Sequence, residues 1–150
     1  MYKVVDKMFI GEYQHSLDAK GRMIVPAKFR EELGASFVVT KGLDKCMCIY
    51  TLEEWKIFED KLKSLPSADA GVRRFQRFFI GGACECEPDK QGRVLIPQNL
   101  VEYACIDKDV VSVGLSNRIE IWSKENWQEY NEESDFIDGD LASKMAELGI

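Results

Sequence analysis

The sequence predicts an α+β fold, mainly β, in which one unit of hairpins and helices occurs twice. A nine-residue segment, DAKGRMIVP at 18–26, returns as DKQGRVLIP at 89–97, an offset of 71 residues. A second match relates 37–55 to 109–127 at an offset of 72, with Gly and Trp residues in register. One inserted residue near 105–108 explains the change of offset. Two matches in the same order indicate an internal duplication.

The first half of each copy is predicted to be a hairpin followed by a short helix. In the first copy, strands at 13–17 and 22–25 flank a three-residue loop, in which Gly21 supplies the positive φ that such loops require. Pro26 suits the first turn of a helix, and that helix is predicted to run to Leu33.

The second half of each copy is predicted to be another hairpin followed by a longer helix. In the first copy, strands at 37–41 and 46–50 form this hairpin. The residues 51–54 are a capping box, which opens a helix running to about 65. The copies are then joined by a linker at 67–71 and a further helix at 72–80.

The two copies are expected to form one body. A unit of this size buries little surface alone, so we predict one shared core about a pseudo-twofold axis. The predicted divisions are a first repeat at 8–55, connecting helices at 56–80, a second repeat at 81–127 and an acidic C-terminal tail at 128–150. This arrangement makes the loops 18–22 and 89–93 equivalent corners of the molecule.

Length and composition exclude several classes of protein. The 150 residues are 45% hydrophobic and 31% charged, as in an ordinary globular chain. No stretch approaches the ~20 apolar residues of a membrane span, and Asp6 and Lys7 interrupt any signal-peptide core. We therefore expect a cytoplasmic protein with no membrane partner. The five cysteines, an odd number, favour reduced thiols over a disulfide framework.

The net charge of −6 is spread unevenly. Nine acidic residues lie in 119–150 against two lysines, while the preceding 118 residues hold 18 basic and 17 acidic residues. The body can therefore carry a local basic face beside an acidic tail. Charge alone does not distinguish such a face from ordinary solvated surface.

The two corner loops each carry an Asp and an Arg four residues apart, Asp18 with Arg22 and Asp89 with Arg93. Across a hairpin these side chains face each other and can pair. An exposed ion pair contributes only ~0.2–1 kcal/mol, so stability is a weak reason to keep it twice. An Arg held in one orientation by a carboxylate suits a phosphate or a guanine edge. The spacing alone leaves two interpretations open. Either the Asp–Arg pair only anchors the turn, or the Asp orients the Arg towards a ligand.

The segments 11–26 and 89–97 resemble the duplicated D-x-x-x-R signature of the bacterial MraZ family. The likeness extends from about 8 to 127. It implies a duplicated swapped-hairpin β-barrel of the AbrB type with flanking helices. It also implies a ring-shaped homo-oligomer without cofactor, associated with the nucleoid. Such a regulator would bind repeated promoter elements in double-stranded DNA ahead of the division and cell-wall gene cluster, and control its own gene among others.

The resemblance also assigns roles to individual residues. Arg22 is the strongest candidate for a DNA contact, and Arg93 is its counterpart in the second signature. Lys20 at the loop tip, and Lys28 and Arg30 on the short helix, are further candidates for DNA contacts. The remaining signature residues support the motif: Asp18, Gly21, Asp89 and Gly92.

Two Cys-x-Cys segments, at 46–48 and 84–86, each place two thiols on one side of a strand. Four thiolates can in principle hold zinc. However, a spacing of one residue is not the usual knuckle pattern, and the repeat alignment puts Arg118 and Glu120 opposite the first pair. We therefore expect buried or half-buried thiols and no metal.

No motif in the sequence indicates catalysis. His15 is the only histidine, and no Ser or Cys of a catalytic motif accompanies it. The sequence also lacks a phosphate-binding glycine loop and any carboxylate spacing that singles out an acid/base pair. We predict no catalytic residue and no enzyme.

An Arg- and Phe-rich stretch occupies the predicted helix at 72–80. Its aromatic and basic side chains interleave, as Arg73, Arg74, Phe75, Arg77, Phe78 and Phe79. Such a helix could face DNA or a membrane surface. We favour the other interpretation, in which the Phe residues enter the core or a subunit interface and the Arg residues pair with acids of a neighbouring copy.

Taken together, these features predict a sequence-specific DNA-binding transcriptional regulator. The alternative is a protein-interaction module of the same fold, for example an antitoxin-like subunit whose acidic C-terminal segment embraces a basic partner.

Overall fold

The computed structural model describes residues 8–132 and 139–150. Eight strands lie in this part of the chain: β1 (Phe9–Ser16), β2 (Arg22–Ile24), β3 (Phe37–Lys41), β4 (Met47–Thr51), β5 (Cys84–Cys86), β6 (Arg93–Leu95), β7 (Asp109–Ser116) and β8 (Ile119–Ser123). Six α-helices accompany them: α1 (Ala27–Leu33), α2 (Leu52–Lys63), α3 (Ala70–Phe79), α4 (Gln98–Tyr103), α5 (Lys124–Asn131) and α6 (Leu141–Glu147). No helix among the described residues is long and apolar enough to cross a membrane.

The strands form two antiparallel sheets in which the two halves of the chain exchange partners. The larger sheet has the order β1-β7-β8-β4-β3-β5, and the smaller one is the β2–β6 ribbon. The first strand of each half pairs with a strand of the other half, β1 with β7 and β5 with β3. The halves meet again where β4 pairs with β8. Neither half therefore completes its own sheet.

The predicted hairpin at the first corner is only partly formed. Its two strands are present, but a single bridge, Leu17 to Met23, joins them beyond the turn. Beyond this bridge β1 and β2 separate, and β2 pairs with β6. The reason is packing, because this pairing places Met23 and Val94 side by side with at most 1% of their surface exposed.

The mixed, mainly β fold predicted from the sequence is confirmed. Among the described residues no ladder joins β1 to β5, so the barrel implied by the resemblance is here an open six-stranded sheet. The apolar core includes side chains from one face of that sheet, from the β2–β6 ribbon and from α1 and α4, such as Phe29, Met47 and Leu100.

Side-chain caps set where the longer helices begin. The hydroxyl of Thr51 accepts a hydrogen bond from the Glu54 backbone N–H (3.1 Å), as the capping box predicted. The helix α3 begins earlier than the predicted residue 72. The Asp69 carboxylate accepts hydrogen bonds from the N–H groups of Gly71 (2.7 Å) and Val72 (3.3 Å), so the last residues of the predicted linker are helical.

Helices α2 and α3 contribute an aromatic layer outside the core. Tyr50 stacks on Phe58 with ring centroids 5.4 Å apart, and Phe58 meets Phe79 edge-on at 5.2 Å. The hydroxyl of Thr40 donates to the Phe79 carbonyl (2.7 Å), which ties the end of α3 to β3. This layer forms one side of a cavity that also reaches Cys48.

The domain divisions at 8–55, 56–80, 81–127 and 128–150 stay a prediction. Part of the predicted acidic tail, residues 133–138, lies outside the described residues. The helix α6 is exposed throughout.

Candidate nucleic-acid interface

The first corner loop is held by one carboxylate. Oδ1 of Asp18 accepts hydrogen bonds from the backbone N–H groups of Lys20 and Arg22, both at 2.9 Å. Oδ2 accepts from Arg22 Nε at 2.8 Å. Gly21 allows this turn because its φ is +80°, in the left-handed region that side chains disfavour. The loop thus orients the Arg22 guanidinium through its Nε edge.

The second corner loop repeats these contacts atom for atom. Oδ1 of Asp89 accepts from the N–H groups of Gln91 (2.8 Å) and Arg93 (2.9 Å), and Oδ2 accepts from Arg93 Nε (2.8 Å). Gly92 also has a φ of +80°. Two Arg side chains are therefore fixed in the same local geometry, as the Asp–Arg spacing predicted.

Hydrogen bonding keeps both corner carboxylates ionised. The pKa of Asp18 is lowered, chiefly by the hydrogen bond from the Arg22 backbone N–H. The pKa of Asp89 is lowered in the same way, chiefly by the backbone N–H of Arg93. Each Arg is thus paired with a negative charge at neutral pH. Among the described residues no partner is found for the terminal Nη atoms of Arg22 and Arg93, so those donors can meet a ligand.

The β2–β6 ribbon places the two Arg residues on one face. Arg22 lies opposite Leu95, and Ile24 lies opposite Arg93, so the two Arg residues occupy diagonal positions of the ladder, which are about 7–8 Å apart along the backbone. The Arg22 and Arg93 side chains are 26% and 31% exposed. The apolar Ile24 and Leu95 between them are more than half exposed.

The other predicted contact residues surround this face in different ways. Lys20 is exposed at the loop tip and Lys28 is exposed on α1. Arg30 is half-buried, and its Nη2 donates to the Val25 carbonyl (3.1 Å). Its guanidinium also covers Gly92, where an added Cβ would lie 2.8 Å from Arg30 Cζ.

The two corners are therefore in contact with opposite halves of the chain. Arg30, from the first half, lies against the second corner. In return, the Gly21 carbonyl of the first corner accepts a hydrogen bond from the Ile96 N–H (3.1 Å). Sequence reasoning missed this link. The sequence contains one sign of it. The repeat alignment places the apolar Val101 opposite Arg30, which shows that the two short helices are not equivalent at this position.

The four thiols of the two Cys-x-Cys segments are separated by the sheet. Cys86 belongs to the apolar core, and Cys84 packs against it. The pair Cys46 and Cys48 is buried outside that core. A hydrogen bond with Cys48, together with burial, raises the pKa of the Cys46 thiol. No site of four thiolates is thus formed among the described residues.

His15 lies in β1 with its Nε2 hydrogen-bonded to the Ser112 hydroxyl. Burial lowers the pKa of the imidazole. Its Nδ1 is buried and has no hydrogen-bond partner among the described residues.

Only some side chains of the Arg- and Phe-rich helix α3 pack against the rest of the molecule. Phe78 meets Phe79 and Tyr103 edge-on, while Phe75 stays 50% exposed. The Arg73 guanidinium donates to the carbonyls of Ser67 and Ala68, both at 3.0 Å. This Arg therefore stabilises the connection before its own helix.

Comparison with known proteins identifies the family of this chain. A family model described as "MraZ protein, putative antitoxin-like" matches twice, at 8–78 and 79–145. The chain belongs to the MraZ family. Each match to the family model contains one Asp–Arg corner, so the resemblance noted from the signature is confirmed.

Similar proteins span almost the whole chain. "Transcriptional regulator MraZ" of Clostridium acetobutylicum is 60% identical over 143 residues, which are 95% of this chain and 100% of the relative. The proteins of the same name from Clostridium beijerinckii and Thermoanaerobacter sp. strain X514 are 62% and 57% identical, with the same coverage. These relatives are named as transcriptional regulators and their family is not an enzyme family, so the prediction that the chain is not an enzyme is confirmed.

Proposed function

We propose that this chain is a transcriptional regulator that binds double-stranded DNA in a sequence-specific manner through the outward face of the β2–β6 ribbon. The observation that carries the proposal is the pair of guanidinium groups on that face, each oriented by a carboxylate at 2.8 Å. Arg22 and Arg93 are the base-reading residues. Asp18, Asp89, Gly21 and Gly92 hold them in place.

The ribbon has the dimensions and chemistry that base reading requires. A two-stranded β-ribbon fits the major groove of B-DNA, and a guanidinium fork matches the O6 and N7 acceptors of guanine. Because Asp18 and Asp89 occupy only the Nε edge, the outer Nη donors remain for DNA. Ile24 and Leu95 supply apolar surface that can meet thymine methyl groups.

Phosphate contacts are assigned to the exposed lysines, Lys20 beside the first corner and Lys28 on α1. Arg30 joins this set more weakly, because its Nη2 already bonds Val25 and its plane covers Gly92. So few cations neutralise few phosphates, which predicts weak binding by one chain.

Assembly into a ring-shaped homo-oligomer resolves this weakness. Several chains that engage repeated promoter elements together gain ~10²–10⁴ in avidity without a new contact. We therefore extend the proposal to repeated elements upstream of the division and cell-wall gene cluster, including the regulator's own gene, and to association with the nucleoid.

The test compares Arg22→Ala and Arg22→Lys with Arg74→Ala, which removes an exposed Arg of α3 outside the corners. Binding of the full chain to its own upstream DNA and to shuffled DNA is titrated at several salt concentrations. Arg22→Ala should abolish the preference for upstream DNA. Arg22→Lys keeps the charge but loses the fork, and should bind with reduced preference. Equal preference in wild type, Arg22→Ala and Arg74→Ala would contradict the proposal.

One observation favours the alternative of a protein-interaction module. The exposed helix α6 and the residues after it carry apolar side chains at Leu141, Met145 and Leu148, each at least 40% exposed. Such a stripe can dock on a partner. A basic protein that co-purifies with the full chain, together with no preference for upstream DNA, would favour this alternative.

A further inference from the structure

A cluster of two thiols and one carboxylate lies where β4 meets β8, apart from both corners. Cys48 pairs directly with Glu120 across the β4–β8 ladder. Cys46 is two residues earlier, and its Sγ lies with that of Cys48 beside Gly42. The two Sγ atoms and a Glu120 carboxylate oxygen all lie within 4.8 Å of one another. The cluster joins the two halves of the chain.

We propose that Cys46, Cys48 and Glu120 form a binding site for a thiophilic divalent cation of the Zn²⁺ class. Bonds of about 2.3 Å to sulfur and 2.0–2.2 Å to oxygen place two sulfurs and one oxygen roughly 3.5–3.8 Å apart around a tetrahedral ion. Atoms that already lie within 4.8 Å therefore need only small movements to close on an ion. Two sulfur ligands select zinc over magnesium or calcium, which prefer oxygen.

Neighbouring residues hold the ligands in place. Trp122 Nε1 donates to Glu120 Oε1 (3.0 Å), which orients the carboxylate as an outer partner of a metal ligand does. Both sulfurs lie close to Gly42, where an added Cβ would be 2.8 Å from each Sγ. Only glycine leaves room for the two thiols at this point. The ligand positions are thus set by packing.

Access and charge also fit a bound cation. Cys48 and Glu120 line a cavity of about 290 Å³, together with Asn117 and Arg118, which gives an ion an entry path. Arg118 Nη2 lies 3.7 Å from Glu120 Oε2. Two thiolates and one carboxylate carry three negative charges, and a divalent ion with Arg118 supplies three positive ones. The occupied site would be neutral.

Binding exchanges protons for metal. As each metal–sulfur bond forms, the S–H bond of that cysteine breaks and its proton passes to solvent, so one ion releases two thiol protons. No atom changes oxidation state. Three protein ligands leave a fourth position for a water molecule, which the cavity can supply, as in zinc sites that keep an open position.

The second Cys-x-Cys segment provides a matched control. Cys84 and Cys86 have the same spacing on β5, but they face the apolar core, and no acidic side chain completes a group of metal ligands with them among the described residues. A site that depends only on thiol content would respond equally to loss of either pair. The proposed site responds only to loss of the first pair, Cys46 and Cys48.

The experiment titrates reduced, chelator-stripped full-length protein with Zn²⁺ against a chromophoric competitor, and with Co²⁺ for a thiolate charge-transfer band. We expect one ion per chain. Cys48→Ser and Glu120→Gln should each weaken binding by about ten-fold or more. The double variant Cys84→Ser/Cys86→Ser should bind as wild type does. Zn²⁺ should raise the Tm of wild type and of this control.

Several outcomes would overturn the proposal. One is wild-type protein that does not compete for Zn²⁺. Another is undiminished affinity in both Cys48→Ser and Glu120→Gln, or a loss confined to Cys84→Ser/Cys86→Ser. Circular dichroism confirms that each variant is folded. If Cys48→Ser does not fold because of its packing on Gly42, Glu120→Gln decides, since it keeps the shape of the side chain and removes only its charge.

Discussion

The carboxylate of Asp18 makes three hydrogen bonds within five residues of chain, and Asp89 does the same. Such local contacts are readable from sequence, because the spacing of Asp, Gly and Arg determines them. The contact of Arg30 with Gly92 is not readable in that way. It joins residues 62 positions apart, and its existence depends on how β2 and β6 pair.

Alanine substitutions of the two corner glycines separate strain from packing. Gly21→Ala and Gly92→Ala each force a side chain to φ +80°, which costs about 1–2 kcal/mol. Gly92→Ala also displaces the Arg30 guanidinium and its hydrogen bond to Val25, at a further cost of about 1 kcal/mol. Urea unfolding measures the free energy of unfolding of both variants.

The background Arg30→Ala provides the control for this comparison. There, Gly92→Ala should cost no more than Gly21→Ala, since no guanidinium covers the glycine. Equal costs in the wild-type background would show that Arg30 contributes nothing to the second corner.

His15 predicts a pH dependence of stability. Burial lowers its pKa below the ordinary 6.5 in the folded chain, so the unfolded chain binds the proton more readily. The free energy of unfolding should therefore fall as pH decreases from about 7 through 6.5 towards the lower folded pKa. Asp18 and Asp89 act in a different window, below their ordinary pKa of 3.8, where protonation removes the stability they contribute.

Urea titrations at a series of pH values between 5 and 8 test this dependence. His15→Gln keeps a polar side chain near Ser112 but cannot titrate, so its stability should change less over that range. Charged groups beside His15, namely Lys28, Asp109 and Lys124, are present in both proteins. An identical pH profile for the variant would exclude His15 as the cause.

At the scale of elements, helix starts followed the chemistry of their first residues. Thr51 is readable as a cap because Glu54 follows it three residues later, and the hydrogen bond from the Glu54 N–H to its hydroxyl confirms this. Asp69 was missed, since Ser, Pro, Ala and Gly around it are typical of a linker. The existence of the strands was also predictable, because Gly21 marks the turn between two of them and the duplication repeats the pattern. Strand partners were not, because exchange between halves depends on packing of distant residues such as Met23 and Val94.

Asp69→Ala should fray the first turn of α3. The variant loses the acceptor for the N–H groups of Gly71 and Val72, at an expected cost of about 1 kcal/mol. Hydrogen exchange at Val72 and Arg73 should accelerate in the variant. Asp107→Ala is the control, since Asp107 is exposed and makes no side-chain hydrogen bond within the described part of the chain. Unchanged exchange in Asp69→Ala would show that the cap is dispensable.

At the scale of the whole molecule, the exchanged strands make the halves depend on each other. β1 pairs with β7 over eight residue pairs, and β5 has its partner in β3. The shared core about two similar halves was predictable from the duplication and the small size of each copy. Its open sheet was not, because closure depends on the geometry of the edges.

Separate production of the halves tests this dependence. Fragments 1–80 and 81–150 should each lack cooperative unfolding, because the first strand of each is unpaired. Mixed in equal amounts, they should recover the near-UV circular dichroism of the intact chain. A half that unfolds cooperatively alone would contradict the exchange.

Arg30 contacts the second corner and Ile96 contacts the first, and this exchange has a consequence for how substitutions act. Each corner is supported by a residue of the other copy. A substitution in one copy can therefore change the position of the Arg side chain at the corner of the other copy. The coupling is not symmetric, because the position that holds Arg30 in the first copy holds the apolar Val101 in the second.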